Sequence, residues 1–146
     1  MQNSTSLEIR KVVLSVEDDD AAYFLISSAF RDLGPGWELY RVEDGDDALE
    51  FLNRQGAYAE APRPSLILMD MNLPKLTGPE LLARMQTSDV LRNIPAVVFS
   101  SSNAHADRAR CLALGAKDFI TKPGAYEPFK RAIGHALDYA EVTPDR

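Results

Sequence analysis

Apolar residues along this chain fall into two alternating kinds of pattern. Leu66-Ile67-Leu68-Met69 is an unbroken apolar run without polar alternation, which predicts a strand buried on both faces and hence a parallel sheet covered by helices. Val12-Val13-Leu14-Ser15-Val16 and Ala96-Val97-Val98-Phe99 are β-branched runs of the same kind, and Trp37 to Val42 and Phe119-Ile120-Thr121 read as two shorter strands. Between these runs apolar residues recur at helical spacing. Ala22, Ile26, Ala29, Phe30 and Leu33 mark a helix that Asp19 or Asp20 can cap and that Gly34-Pro35-Gly36 ends. Asp44-Gly45 turns into a helix carrying Ala48, Leu49 and Leu52, and Gln55 to Pro64 follows as a loop. Thr77-Gly78-Pro79-Glu80 has the form of a capping box with an early proline, opening a helix through Leu81, Leu82 and Met85. A further helix runs from about Ala104 through Leu112 to Gly115, and Phe129, Ala132, Ile133, Ala136, Leu137 and Ala140 form an apolar stripe at helical spacing. Strands alternating with helices predict an α/β domain, an open parallel sheet with right-handed crossovers and helices on both faces.

Length and charge narrow this picture without redirecting it. A chain of 146 residues fits one domain burying about 70% of the surface its unfolded form exposes. The expected division is a flexible N-terminus over residues 1–9, one domain over 10–142 and a tail over 143–146. A net charge of -6 without any Lys/Arg cluster argues against a chain that grips nucleic-acid phosphates through its overall charge. Cys111, the sole cysteine, excludes an intramolecular disulfide and reads as a small core residue. The N-terminal residues lack a signal-peptide pattern and no apolar run approaches membrane-spanning length, so the expected location is cytoplasmic, away from membranes.

The chemistry collects where the strands end. Glu17-Asp18 follows the first apolar run, Asp70 the third, Ser100-Ser101-Ser102 the fourth and Lys122-Pro123 the fifth. In an open α/β sheet, ligands and reactions sit outside the carboxyl ends of the strands. Each group has an ordinary structural reading: an acid at a strand end is commonly a cap or a solvated turn, and Lys-Pro is commonly a turn. All of them in one chain describe something more. Clustered carboxylates repel one another unless a hard cation or a shared proton relieves them, and carboxylate plus carbonyl oxygens suit Mg2+. A lysine pairs with an anion, a serine hydroxyl donates to a phosphoryl oxygen, and an aspartate can itself accept a phosphoryl group. Together these residues point to phosphoryl transfer onto Asp70.

These motifs resemble the response-regulator receiver domain of two-component signalling over about residues 10 to 142. Val16-Glu17-Asp18 is similar to the acidic pair after the first strand, Leu68-Met69-Asp70-Met71-Asn72-Leu73-Pro74 to the phosphoacceptor strand and its loop, and Phe99-Ser100-Ser101 to the hydroxyl position. Gly115 to Pro123 is similar to the terminal signature. The resemblance implies a flavodoxin-like doubly wound sandwich of strand order 2-1-3-4-5. It implies Asp70 as phosphoacceptor, Asp18 and Asp70 as metal carboxylates, Glu17 supporting them through water, and Asn72 offering its backbone carbonyl. Ser100 and Lys122 would contact the phosphoryl group, and Phe119 would be the aromatic switch that turns inward once Ser100 is drawn toward the phosphate. A hydrogen bond to a charged group contributes about 1.5–3 kcal/mol, or about 10- to 150-fold in an equilibrium, enough to shift an active state populated at about 1–10%.

Two departures from the family pattern stand out. Thr77-Gly78 replaces the usual Asp-Gly, which alters capping and leaves the chemistry intact. The stretch Gln55–Pro64 is longer than in a minimal receiver; with Asn72-Leu73-Pro74-Lys75 and the serine run, it resembles the small single-domain regulators paired with phytochrome-type histidine kinases. No DNA-binding segment is expected beyond Arg146, so output is expected through protein contacts of the fourth helix, fifth strand and fifth helix rather than direct DNA binding. Tyr139, Val142 and the tail are the candidate surface for a homodimer. The expected role is signalling, with no catalysis beyond the protein's own phosphorylation and dephosphorylation. The competing readings are a haloacid-dehalogenase-type phosphatase, which needs an aspartate where Asn72 stands, and a scaffold that is never phosphorylated.

Overall fold

The computed structural model describes residues 11–141. Among them the elements run β1 (Lys11–Val16), α1 (Asp20–Leu33), β2 (Trp37–Val42), α2 (Gly45–Asn53), a 3-10 turn (Gly56–Tyr58), β3 (Leu66–Met69), α3 (Gly78–Gln86), β4 (Ala96–Ser100), α4 (His105–Ala113), β5 (Asp118–Thr121) and α5 (Tyr126–Leu137). The five strands form one parallel sheet in the order β2-β1-β3-β4-β5. This is the flavodoxin-like arrangement that the resemblance implies.

Strand periodicity explains why the central runs carry no polar alternation. Successive side chains point to opposite faces, and here both faces are covered. Leu14, Val16, Ile67, Met69 and Val98 pack into one core with Ala48, Phe51, Leu81, Leu82, Met85 and Cys111 of α2, α3 and α4. Val13, Leu66, Leu68, Val97 and Phe99 pack into the other with Ile26, Ala29, Phe30, Phe129, Ile133 and Ala136 of α1 and α5. Polar strand residues would therefore be buried in either direction. Cys111 is fully buried, as expected of a small core residue.

The helix starts follow local chemistry. Asp19 caps α1 by accepting from Ala22 N–H at 3.2 Å, and Asp44 caps α2 by accepting from Asp47 N–H at 2.8 Å. Thr77 and Glu80 close the capping box reciprocally, with Thr77 N–H donating to Glu80 Oε1 at 2.9 Å and Glu80 N–H to Thr77 Oγ1 at 3.3 Å. Two helix ends differ from the periodic pattern. Leu33 is 39% exposed in the last turn of α1, where the chain turns away at Gly34 with φ of 105°. α5 stops at Leu137 although its apolar stripe continues to Ala140, because residues 138–140 tighten into i→i−3 hydrogen bonds and Glu141 N–H then reaches Ser65 O at 2.9 Å. The stripe reports a packed face; it does not report the hydrogen-bond pattern beneath it.

The long loop between α2 and β3 is not a pendant insertion. Its 3-10 turn places Tyr58 against Phe51, with ring centroids 5.4 Å apart, so the extra residues cover one core. No helix among the described residues is long and apolar enough to cross a membrane. The Thr77 cap yields a direct test of these assignments. Thr77→Ala is expected to cost about 1 kcal/mol of stability and Thr77→Ser close to nothing, measured by urea unfolding; equal stability of all three proteins would remove the capping box from the account.

Candidate functional site

Register brings the predicted residues to one edge. Val16 lies opposite Met69 and Ser100 opposite Thr121 in the parallel ladders, so the residues after β1 and β3 come out level, as do the ends of β4 and β5. Asp70 N–H donates to Val16 O at 3.0 Å, and Lys122 N–H donates to Ser100 O at 2.8 Å. The backbone bonding thus continues one residue past the strands, into the groups that carry the chemistry.

Lys122 closes the arrangement. Its ammonium lies 2.8 Å from Glu17 Oε1 and 3.6 Å from Asp70 Oδ2. Glu17 is 1% exposed, a severe position for a carboxylate, and takes a second hydrogen bond at Oε2 from Asp19 N–H at 3.2 Å. Burial pushes the Glu17 carboxyl above the ordinary carboxylate range, and the hydrogen bond and charge of Lys122 pull it only part of the way back. Asp70 is half-buried, with Oδ1 accepting from Met71 N–H at 2.7 Å. Glu17, Asp18 and Asp70 each offer a carboxylate oxygen, and the three oxygens lie within 4.8 Å of one another. Three acid oxygens that close favour a divalent cation chemically, and a set of hard oxygen donors fits Mg2+ or Mn2+.

The remaining expected residues are placed as follows. Ser100 is fully buried at the end of β4 and its Oγ accepts from Ser102 N–H at 3.4 Å. Asn72 is exposed in the loop after Asp70. Phe119 is 4% exposed and belongs to a core cluster, on β5 at the edge of the sheet. Tyr139 donates its hydroxyl to Asp118 Oδ2 at 2.8 Å, which engages within the chain a group expected at a homodimer surface; Val142 lies outside the described residues.

Two contributors were invisible along the sequence. Arg41 of β2 donates from Nε to Glu17 O at 3.0 Å, pairs through Nη2 with Asp20 Oδ1 at 2.9 Å and lies over the Tyr23 ring at 4.7 Å, pinning the acidic loop. Nothing near Arg41 in the sequence signals this, since the contact depends on β1 and β2 pairing in register. Gly78 supports Asp70 from below: a Cβ there would stand 2.8 Å from Asp70 O, so its lack of a side chain lets the start of α3 approach the loop that follows Asp70.

A family model described as the response regulator receiver domain matches residues 13–133. The chain belongs to the response regulator receiver family. Response regulator Rcp1 of Synechocystis is 38% identical over 112 residues, covering 77% of this chain and 76% of the relative. Among solved structures, the phosphorylated cyanobacterial phytochrome response regulator RcpA superposes with a TM-score of 0.83 at 34% identity, covering 90% of this chain and 94% of that one. The Mn2+-bound form of response regulator Rcp1 gives 0.81 at 33% identity, covering 93% and 99%. The receiver described here is thus homologous to phytochrome response regulators, and a divalent cation in a relative agrees with the acidic cluster found in this chain.

The buried Glu17 carboxyl has a pH signature. Unfolded, it titrates near the usual value of about 4.3; folded, it titrates higher. Between those values the folded receiver holds the additional proton, so its stability falls as pH rises through that window. In metal-free buffer the melting temperature of Glu17→Gln minus that of wild type should therefore be larger at about pH 7.5 than at about pH 4. A difference independent of pH would contradict the assignment.

Proposed function

We propose that this receiver accepts a phosphoryl group from a histidine kinase onto Asp70, with Mg2+ bound, and signals through the face made by α4, β5 and α5. The observation that carries this reading is the position of Lys122, whose ammonium lies between Glu17 at 2.8 Å and Asp70 at 3.6 Å. A lysine serving only to neutralise Glu17 has no need to reach a second, less buried carboxylate at the rim.

Glu17, Asp18 and Asp70 are the side chains that would hold the metal, with the Asn72 backbone carbonyl as a further oxygen donor. When bound, Mg2+ supplies positive charge that polarises the phosphoryl oxygens. The Asp70 carboxylate attacks phosphorus of a phosphohistidine: an O–P bond forms as the P–N bond breaks, and the imidazole leaves with the electron pair. Lys122 exchanges part of its contact with Glu17 for a phosphoryl oxygen, and the Ser100 hydroxyl donates to another. Phe119, 4% exposed in the core, would be the aromatic residue that responds as Ser100 moves.

The kinship with phytochrome response regulators supports a phytochrome-type kinase as the phosphoryl donor. Turnover as a haloacid-dehalogenase-type phosphatase is disfavoured, because Asn72 stands where that chemistry needs an acid.

Incubation with Mg2+ and acetyl phosphate tests the reading. Wild type should gain one phosphoryl group by intact mass, labile at alkaline pH, and Asp70→Asn none; an equal adduct on both would overturn it. A companion variant tests Lys122. Lys122→Ala should retain wild-type circular dichroism, since Glu17 relieves the lost ion pair by taking up a proton, while losing any phosphorylation-dependent change at α4. Retention of that change would remove Lys122 from the mechanism.

A further inference from the structure

Ser102, in the loop between β4 and α4, is bonded to three separate parts of the receiver. Its N–H donates to Ser100 Oγ at 3.4 Å and its carbonyl accepts from Thr121 Oγ1 at 3.2 Å. Its hydroxyl donates to Asp107 Oδ2 at 2.5 Å and accepts from Ala104 N–H at 3.3 Å. Thr121 directly precedes Lys122, and Lys122 N–H donates to Ser100 O at 2.8 Å. One residue therefore touches both arms that face Asp70 and the first turn of α4.

The start of α4 gives this arrangement its force. Ala104 occupies the N-cap position, and an alanine side chain makes no cap hydrogen bond. α1, α2 and α3 are each capped by a side chain, Asp19, Asp44 and Thr77 respectively. At α4 the Ser102 hydroxyl and the Asp107 carboxylate stand in for the missing cap, joined by a short charge-assisted bond. The order of α4 is thereby tied to the position of Ser102, two residues beyond the buried Ser100 hydroxyl.

We propose that Ser102 is the positioning residue that couples the phosphoryl site to α4. This rests on the reading of Asp70 as phosphoacceptor. When Ser100 Oγ turns to a phosphoryl oxygen, the Ser102 N–H loses its acceptor. A part-buried donor left unpaired disfavours the present loop conformation. Ser102 moves, the Asp107 tether opens, and the first turn of α4 loosens at the readout face. Ser102 touches neither Mg2+ ligand nor phosphoacceptor, so the transfer step itself does not require it.

Hydrogen exchange of residues 103–113, with phosphoryl stoichiometry read by intact mass in the same samples, tests the coupling. In wild type, acetyl phosphate with Mg2+ should speed exchange in the first turn of α4 by about fivefold, the change expected when a cap bond of ordinary strength is lost. Ser102→Ala should gain the phosphoryl group to the same extent, exchange at that faster rate beforehand and show little further change. Ser102→Thr, which keeps the hydroxyl, should behave as wild type. A full adduct on wild type without altered exchange at α4, or Ser102→Ala matching wild type before and after phosphorylation, would overturn the coupling alone. Absence of any adduct on wild type would overturn both the coupling and the assignment of Asp70.

Discussion

The receiver depends on one ammonium group placed among acids. Glu17 follows β1 and Lys122 follows β5, two strands separated in the sheet by β3 and β4, yet their side chains meet at 2.8 Å. Parallel strands carry no hairpin to hold their carboxyl ends together, so this contact spans the edge at which the functional groups emerge. It is also electrostatically necessary. A carboxylate 1% exposed carries a desolvation cost that only a close cation, a proton or a metal can offset. The upward shift of the Glu17 carboxyl shows that Lys122 offsets it incompletely. That residual tension leaves the site with an appetite for positive charge, which suits a pocket built to take up a divalent cation.

Much of this was legible in the linear sequence, and the reason is burial. Because both faces of the sheet are covered, β1, β3 and β4 are mostly apolar, with Ser15 the buried exception inside β1, and a charged residue next to such a run marks its end. Asp70, Ser100, Glu17 and Lys122 were therefore visible as strand ends before any pairing was known. Helix caps were legible for a similar reason, since Thr77 and Glu80 satisfy each other within one turn. What stayed hidden depends on register. Arg41 reaches Glu17 O only because β2 pairs with β1, and Gly78 matters only because α3 folds back onto Asp70. The end of α5 was hidden too: periodicity follows the packed face through Ala140, whereas the helix proper ends at Leu137.

Phe119 is packed in the core, while less committed polar groups lie over the same sheet edge. The loop after β4 supplies them, since its hydrogen bonds to Ser100, Thr121 and Asp107 are side-chain bonds of differing length in a part-exposed segment. Core side chains fix the sheet edge, and polar side chains over it remain free to exchange partners. The division places rigidity at the chemistry and adaptability at the output.

The central claim is that Asp70, among all the acids at this edge, takes the phosphoryl group. Acyl phosphates are reduced by borohydride to the corresponding alcohol, which makes the modified position permanent and readable by peptide mass mapping. After treatment with acetyl phosphate, Mg2+ and borohydride, the account requires reduction at Asp70 and at no other acid of the cluster. Reduction at Glu17 or Asp18 in its place, with Asp70 intact, would contradict it.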